Sequence, residues 1–268
     1  MKPSRESWSS ELGLILSLIG VAVGLGNVWR FPYMLGKFGG AGFLAVYIVL
    51  VLAVGVPGLI VELTISRYAR KGPFKAFAKI GVPGGRLIGY VLLVTAVAAV
   101  AYYIVVIGWV LWYVLLSVSG VLFRENINVA LLFNDLTSSL YLQLIMHVII
   151  VVSCIVITYG GVRRGIELAS KIMMPIVYIA LAGIAVFAMS LPRANDGLVF
   201  YLKPNWSNIS WFTILAAMGQ VFFSLGLGST WMFMYGSYMT GKQRIVKSSV
   251  ITAIGDTMAS VIAGFAIL

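Results

Sequence analysis

The residues of this sequence that could do chemistry are few and lie in apolar surroundings. Asp256 stands about ten residues into a hydrophobic run that begins near Val246. A carboxylate at that depth in a bilayer costs a few kcal/mol on insertion scales, so something must compensate it. A second signal is a repeat. The segment Val23 to Tyr33 (VGLGNVWRFPY) returns as Leu225 to Tyr235 (LGLGSTWMFMY), with Gly-Leu-Gly, Trp, Phe and Tyr in the same places. Glycine costs a helix roughly 1 kcal/mol relative to alanine, so matched glycine pairs in two apolar runs imply backbone that unwinds. An unwound helix exposes carbonyl oxygens, hard ligands for a cation, and a half-helix N-terminus that favours an anion. The chemistry implied is non-covalent binding near the middle of a membrane. Packing of Gly20-x-x-x-Gly24 against a neighbouring helix stays open as the rival reading of the first pair.

The surrounding composition fits that setting. Hydrophobic residues make up 61% of the 268, charged residues 10%, and the mean hydropathy is +1.02. At about 20 apolar residues per helix, the sequence predicts seven spans, at 12–37, 42–66, 87–121, 140–158, 168–191, 209–239 and 246–268. The first run carries Asn27 and Arg30 and lacks a small-residue cleavage site, so it is not a signal peptide. With the N-terminus inside, fourteen of the 19 basic residues fall in inner segments and five in outer ones. Positive charge inside therefore places the N-terminus in the cytoplasm, and the net charge of +11 faces anionic lipid headgroups rather than nucleic acid. One Cys and one His supply neither a disulfide nor a zinc site. No nucleophile and base pair lies at membrane depth, which argues against an enzyme.

Taken together, several motifs resemble the neurotransmitter:sodium symporters, the family of the bacterial leucine transporter. They are Arg5-Glu6-x-Trp8, Gly24-Leu25-Gly26-Asn27-x-Trp29-Arg30-Phe31-Pro32-Tyr33, Gly39-Gly40-x-x-Phe43, Gly165-Ile166-Glu167 with Lys171 and Met174-Pro175, Asp196-Gly197-Leu198, and Gln220 to Leu225. The resemblance is collinear over essentially the whole chain. It implies an all-α integral membrane protein with the discontinuous-helix inverted-repeat transporter fold, in which residues 12–191 form a complete first five-helix repeat. A cytoplasmic segment (1–11) precedes it, and an outer loop (192–208) leads to the start of a second repeat (209–268). Family members have about twelve helices, so the resemblance also implies truncation after the seventh.

Function by resemblance is sodium-coupled symport of a neutral, bulky amino acid across the plasma membrane. The carbonyls of Gly20, Ala22 and Val23, the Asn27 amide, Ser224 and Asp256 would meet sodium ions. The substrate would meet Ala22, Gly24, Leu25, Gly26, Ala99, Tyr103, Phe223, Ser224, Gly226 and Ser229. Arg30 and Gln220 match the outer gate, and Arg5 and Trp8 the inner one. Ser260 stands where some bacterial members carry a fixed carboxylate, and a carboxylate already present at Asp256 implies transport without chloride. Three bland readings accompany these: Tyr103 and His147 as core or interface residues, and Glu62 as an interfacial ion pair with Arg67 or Arg70. The alternative is a non-transporting half-transporter or remnant subunit that needs a partner chain for helices 8–12, the partner being a second chain or, in a homo-oligomer, a further copy of this one. A seven-helix receptor is disfavoured, because its N-terminus would lie outside.

Overall fold

A computed structural model describes residues 6–125, 127–192 and 194–267, the side chains of Phe74 and Asn208 excepted. Besides two single 3-10 turns (Val121–Phe123 and Trp206–Asn208), the described residues form twelve helices. They are α1 (Glu11–Ala22), α2 (Gly26–Lys37), α3 (Ala41–Ala69), α4 (Pro73–Lys79), α5 (Gly85–Val118), α6 (Val129–Ser138), α7 (Leu140–Tyr159), α8 (Val162–Met189), α9 (Ala194–Leu202), α10 (Trp211–Ser224), α11 (Thr230–Gly236) and α12 (Ile245–Ile267).

Five of these, α3, α5, α7, α8 and α12, are long and apolar enough to cross a membrane singly, and α1 with α2 forms a sixth span bent by 53°. The span expected at 209–239 is two pieces, α10 and α11, parted by residues 225–229. The second span runs on to Ala69, where Arg70 ends it in a left-handed conformation (φ 48°). The fifth starts at Val162 rather than 168, because Gly161 (φ 70°) breaks the chain and residues Val162–Glu167 form a π-helical turn. The segment expected as an outer loop contains helix α9, whose Tyr201 is buried. Side-chain oxygens start several helices. Ser10 accepts from Gly13 N (2.9 Å), and Ser210 and Thr213 form a reciprocal capping box.

Helix α12 packs against α8 and α1, and α10 against α3. The largest buried cluster joins Leu14, Leu18, Phe31, Phe43, Tyr47 and Leu59 with Val221 and Leu225. Within it the Tyr47 ring meets Phe31 edge-on at 5.1 Å. By contrast, most of α5 and α7 faces outward.

Gly40 is a position where the backbone itself demands glycine. Its φ is +60°, and a Cβ there would come within 2.5 Å of the Phe200 carbonyl oxygen, which is backbone and cannot rotate away. Gly40→Ala is expected to destabilise the protein by roughly 1–3 kcal/mol, read as a lower thermal unfolding midpoint in detergent.

Candidate functional site

The first helix stops where its amides are diverted. The Gly24 N–H donates to Asn27 Oδ1 (2.9 Å), the Leu25 N–H to the Tyr103 hydroxyl (3.1 Å), and the Asn27 N–H to the Gly24 carbonyl (3.1 Å). In a continuous helix those three amides would close on the carbonyls of Gly20, Val21 and Val23. Their diversion leaves these carbonyls without their usual donors. Gly20 itself faces Met174 and Ser170 of α8, so it does pack against a neighbour as well.

Glycine at 24 and 26 is needed for close approach, since neither has a positive φ. A Cβ on Gly24 would lie 3.0 Å from the Tyr103 hydroxyl, and one on Gly26 would lie 2.7 Å from the Phe223 ring. The second break works differently. Leu227 N–H donates to Phe222 O (3.0 Å) and Gly226 N–H to Phe223 O (3.3 Å), with Gly226 left-handed at φ +62°, which is the Schellman termination of a helix. Ser229 then bonds the Gly226 carbonyl at 2.5 Å and caps α11.

Between the two breaks sits Asp256, with no solvent exposure. Ser224 Oγ lies 2.8 Å from both of its carboxylate oxygens, and Asn27 Nδ2 donates to Oδ1 at 2.7 Å. The same nitrogen lies 2.8 Å from Ser260 Oγ, 3.1 Å from the Asp256 carbonyl and 3.2 Å from Ser224 Oγ. Four oxygens therefore converge on one point, although an amide has only two hydrogens to give. Such a set, buried and rich in hard oxygen, suits a small monovalent cation.

Tyr47, absent from the sequence reading, completes this cluster with its hydroxyl 3.4 Å from Asp256 Oδ2. A tyrosine inside an apolar span was its only signal. Above the cluster Arg30 Nη1 donates to Gln220 Oε1 (2.5 Å) and its guanidinium lies 4.8 Å from the Phe223 ring, while Gln220 Nε2 reaches the Gly26 carbonyl (3.3 Å). Phe223 is 54% exposed, so this edge is open. Trp8 is buried and donates to the Tyr235 carbonyl (3.1 Å). Ala22 is buried at the end of α1, whereas Ala99 lies exposed one turn before Tyr103 on α5. Arg5 lies outside the described residues.

A family model described as "Sodium:neurotransmitter symporter family" matches residues 5–132 and 123–268. The chain belongs to this family. It is a family of transporters, not enzymes, and its members couple transport to sodium. A Haemophilus influenzae protein named as an uncharacterized sodium-dependent transporter is 33% identical over 98% of this chain and 60% of its own length. The sodium- and chloride-dependent creatine transporter 1 of Mus musculus is 28% identical, over 99% of this chain and 49% of the relative. A crystal structure of MhsT in complex with L-phenylalanine superposes with a TM-score of 0.89 at 35% identity, covering 98% of this chain and 60% of that one. The chain thus spans about half to three-fifths of the length of these relatives. Together with the apolar helices, this makes it a multi-pass membrane protein with the inverted-repeat transporter fold.

The ion-pair reading of Glu62 is corrected. Glu62 lies inside α3 and its Oε1 accepts from the Gly228 N–H at 2.5 Å, while Arg67 donates instead to the Gln243 carbonyl at 3.0 Å. Helix α3 runs about two turns past Glu62, to Ala69, which places the carboxylate beside the second break rather than at the interface. Glu62→Ala is expected to lower the unfolding midpoint by an amount equivalent to about 1 kcal/mol, and Glu62→Gln, which keeps an acceptor, by less than half of that.

Proposed function

We propose that these helices bind sodium and a neutral, bulky amino acid for sodium-coupled symport, and that transport does not need chloride. The observation that carries the reading is the ring of oxygens from Ser224, Asp256 and Ser260 about the Asn27 amide. In an ion-bound state the Asn27 amide would turn its oxygen to the cation at the same point, giving up the bond that Oδ1 accepts from the Gly24 N–H. Ala22 and Ser224 would complete that first site. The carbonyls of Gly20 and Val23, released by the diverted amides, would serve a second ion.

On this reading the substrate carboxylate sits by the amides of Gly24, Leu25 and Gly26, where the half-helix dipole favours an anion. The Tyr103 hydroxyl, already 3.1 Å from Leu25 N, would donate to that carboxylate. Ala99, Phe223, Gly226 and Ser229 would border the side chain. Three of these four are small, which supports a bulky substrate, as does the phenylalanine in the MhsT structure. Arg30 with Gln220 would close the outer side and Trp8 with Arg5 the inner side, with the N-terminus cytoplasmic in the plasma membrane. Residues 12–191 and 209–268 would belong to the two repeats.

Chloride independence rests on charge. Asp256 already supplies one fixed negative charge at the cation site, so an added anion is not needed to balance sodium. A second reading, in which these helices act only with a partner segment, is favoured by the outward-facing apolar surfaces of α5 and α7.

The test is binding of tritiated leucine, tryptophan and phenylalanine to purified protein, in sodium against potassium gluconate without chloride. Saturable binding only in sodium is the expected result, and binding that requires added chloride sinks the chloride-free reading. Folded protein that binds none of the three favours the partner-dependent reading. Asp256→Asn is expected to weaken apparent sodium affinity at least tenfold, as befits loss of a buried charge worth 1.4 kcal/mol or more in the bound state.

A further inference from the structure

Helix α12 must hold Asp256 at one height and one rotation for the oxygens to converge, and its immediate neighbour shows how. The Tyr178 hydroxyl of α8 donates to the Gly255 carbonyl at 2.7 Å. Gly255 directly precedes Asp256, so this bond acts on the peptide unit that carries the carboxylate. Glycine at 255 allows the approach: a Cβ there would lie 2.8 Å from Ile19 Cδ1 and 3.2 Å from the Tyr178 hydroxyl. Three helices, α1, α8 and α12, thus meet within one side chain of the carboxylate.

The ring of Tyr178 is shared between two small apolar clusters. One contains Ile15, Ile19 and Met174, and the other Leu181, Ala259 and Ala263 with Val23 at its edge. Tyr178 is therefore packed against clusters that include Ile15 and Ile19 of α1, just before the released carbonyls, and Ala259 and Ala263 of α12, and it bonds α12 beside the carboxylate. A phenylalanine would keep this packing and lose only the bond to Gly255.

We propose that Tyr178 is a positioning residue for the cation site, its hydroxyl fixing α12 at Gly255 so that Asp256 meets Asn27 and Ser224. The proposal rests on the sodium reading of the Asp256 cluster. Tyr178 need not touch the ion. A comparison bond exists on the same helix, where the Tyr201 hydroxyl of α9 donates to the Val261 carbonyl at 3.0 Å. Burial pushes the Tyr201 phenol well above its ordinary pKa, so it remains a donor at physiological pH. Tyr201 also pins α12, but more than one turn beyond Asp256.

The experiment is thermal unfolding of the full-length protein in detergent, titrated with sodium gluconate at constant ionic strength in potassium gluconate. The sodium midpoint reports the site, and the unfolding temperature in potassium alone reports structure. Tyr178→Phe is expected to raise the sodium midpoint about three- to tenfold, while Tyr201→Phe leaves it within twofold of wild type. Equal shifts in both variants would overturn the proposal, because anchoring of α12 in general would then account for the effect. So would an unchanged midpoint in Tyr178→Phe. Asp256→Asn separates the two levels: if it abolishes sodium stabilisation while Tyr178→Phe does nothing, only the role of Tyr178 fails. If Asp256→Asn also leaves the midpoint unchanged, the cation reading fails and Tyr178 with it.

Discussion

A fully buried carboxylate is affordable only while its hydrogen-bond donors stay in place, and Asp256 draws both of its close side-chain donors from helix breaks. Asn27 follows the end of α1 and Ser224 is the last residue of α10. Removing one partner from a buried charge costs several kcal/mol, more than the roughly 1 kcal/mol per backbone hydrogen bond that straightening either break would return, and glycine inside the straightened helix would itself be unfavourable. The carboxylate thus holds both helices in their interrupted form. Each break in turn leaves backbone groups that need partners, and Tyr103 and Glu62 supply two of these from α5 and α3. The arrangement is mutual, since no helix of the cluster can shift alone without stranding a buried polar group.

The two Gly-Leu-Gly breaks look alike in sequence and are built for different physical reasons. In the first, both glycines have ordinary backbone angles and are required because Tyr103 and Phe223 press against them. In the second, Gly226 and Gly228 adopt positive φ and nothing lies within 4 Å of a Cβ on Gly228. One break is therefore shaped by its neighbours and the other by its own turn. This difference bears on movement. A break defined by tertiary contacts changes when those neighbours change, whereas a Schellman turn is stabilised locally and keeps its shape as the helix moves.

Much of this was readable from residue types. A carboxylate in an apolar run and a duplicated glycine pair both violate what a membrane helix tolerates, and violations of that kind mark sites. The membrane-length helices followed from hydropathy for the same reason, apart from the span that divides at 225–229, whereas the short helices α4, α6 and α9 lie outside the expected spans. Tyr47 and Tyr178 carry no such signal, since tyrosine is an ordinary residue in its setting. Their partners and that of Glu62 lie between 77 and 209 positions away. Glu62 was misread because Arg67 and Arg70 are close in sequence, and only the packing of α3 against the second break decides which neighbour it meets.

The charge arithmetic of the Asp256 cluster limits what can complete it. Among the described residues the hydrogen-bond partners of its carboxylate are two hydroxyls and an amide, all neutral. An ionised Asp256 therefore carries one net negative charge into a site of low dielectric, where interactions between charges are many times stronger than in water. On the sodium reading, one ion at this point would neutralise the carboxylate, the ion proposed at the Gly20 and Val23 carbonyls would add a positive charge nearby, and a zwitterionic substrate would add none. The fixed carboxylate and a mobile anion would, on that reading, be alternatives for one electrostatic task.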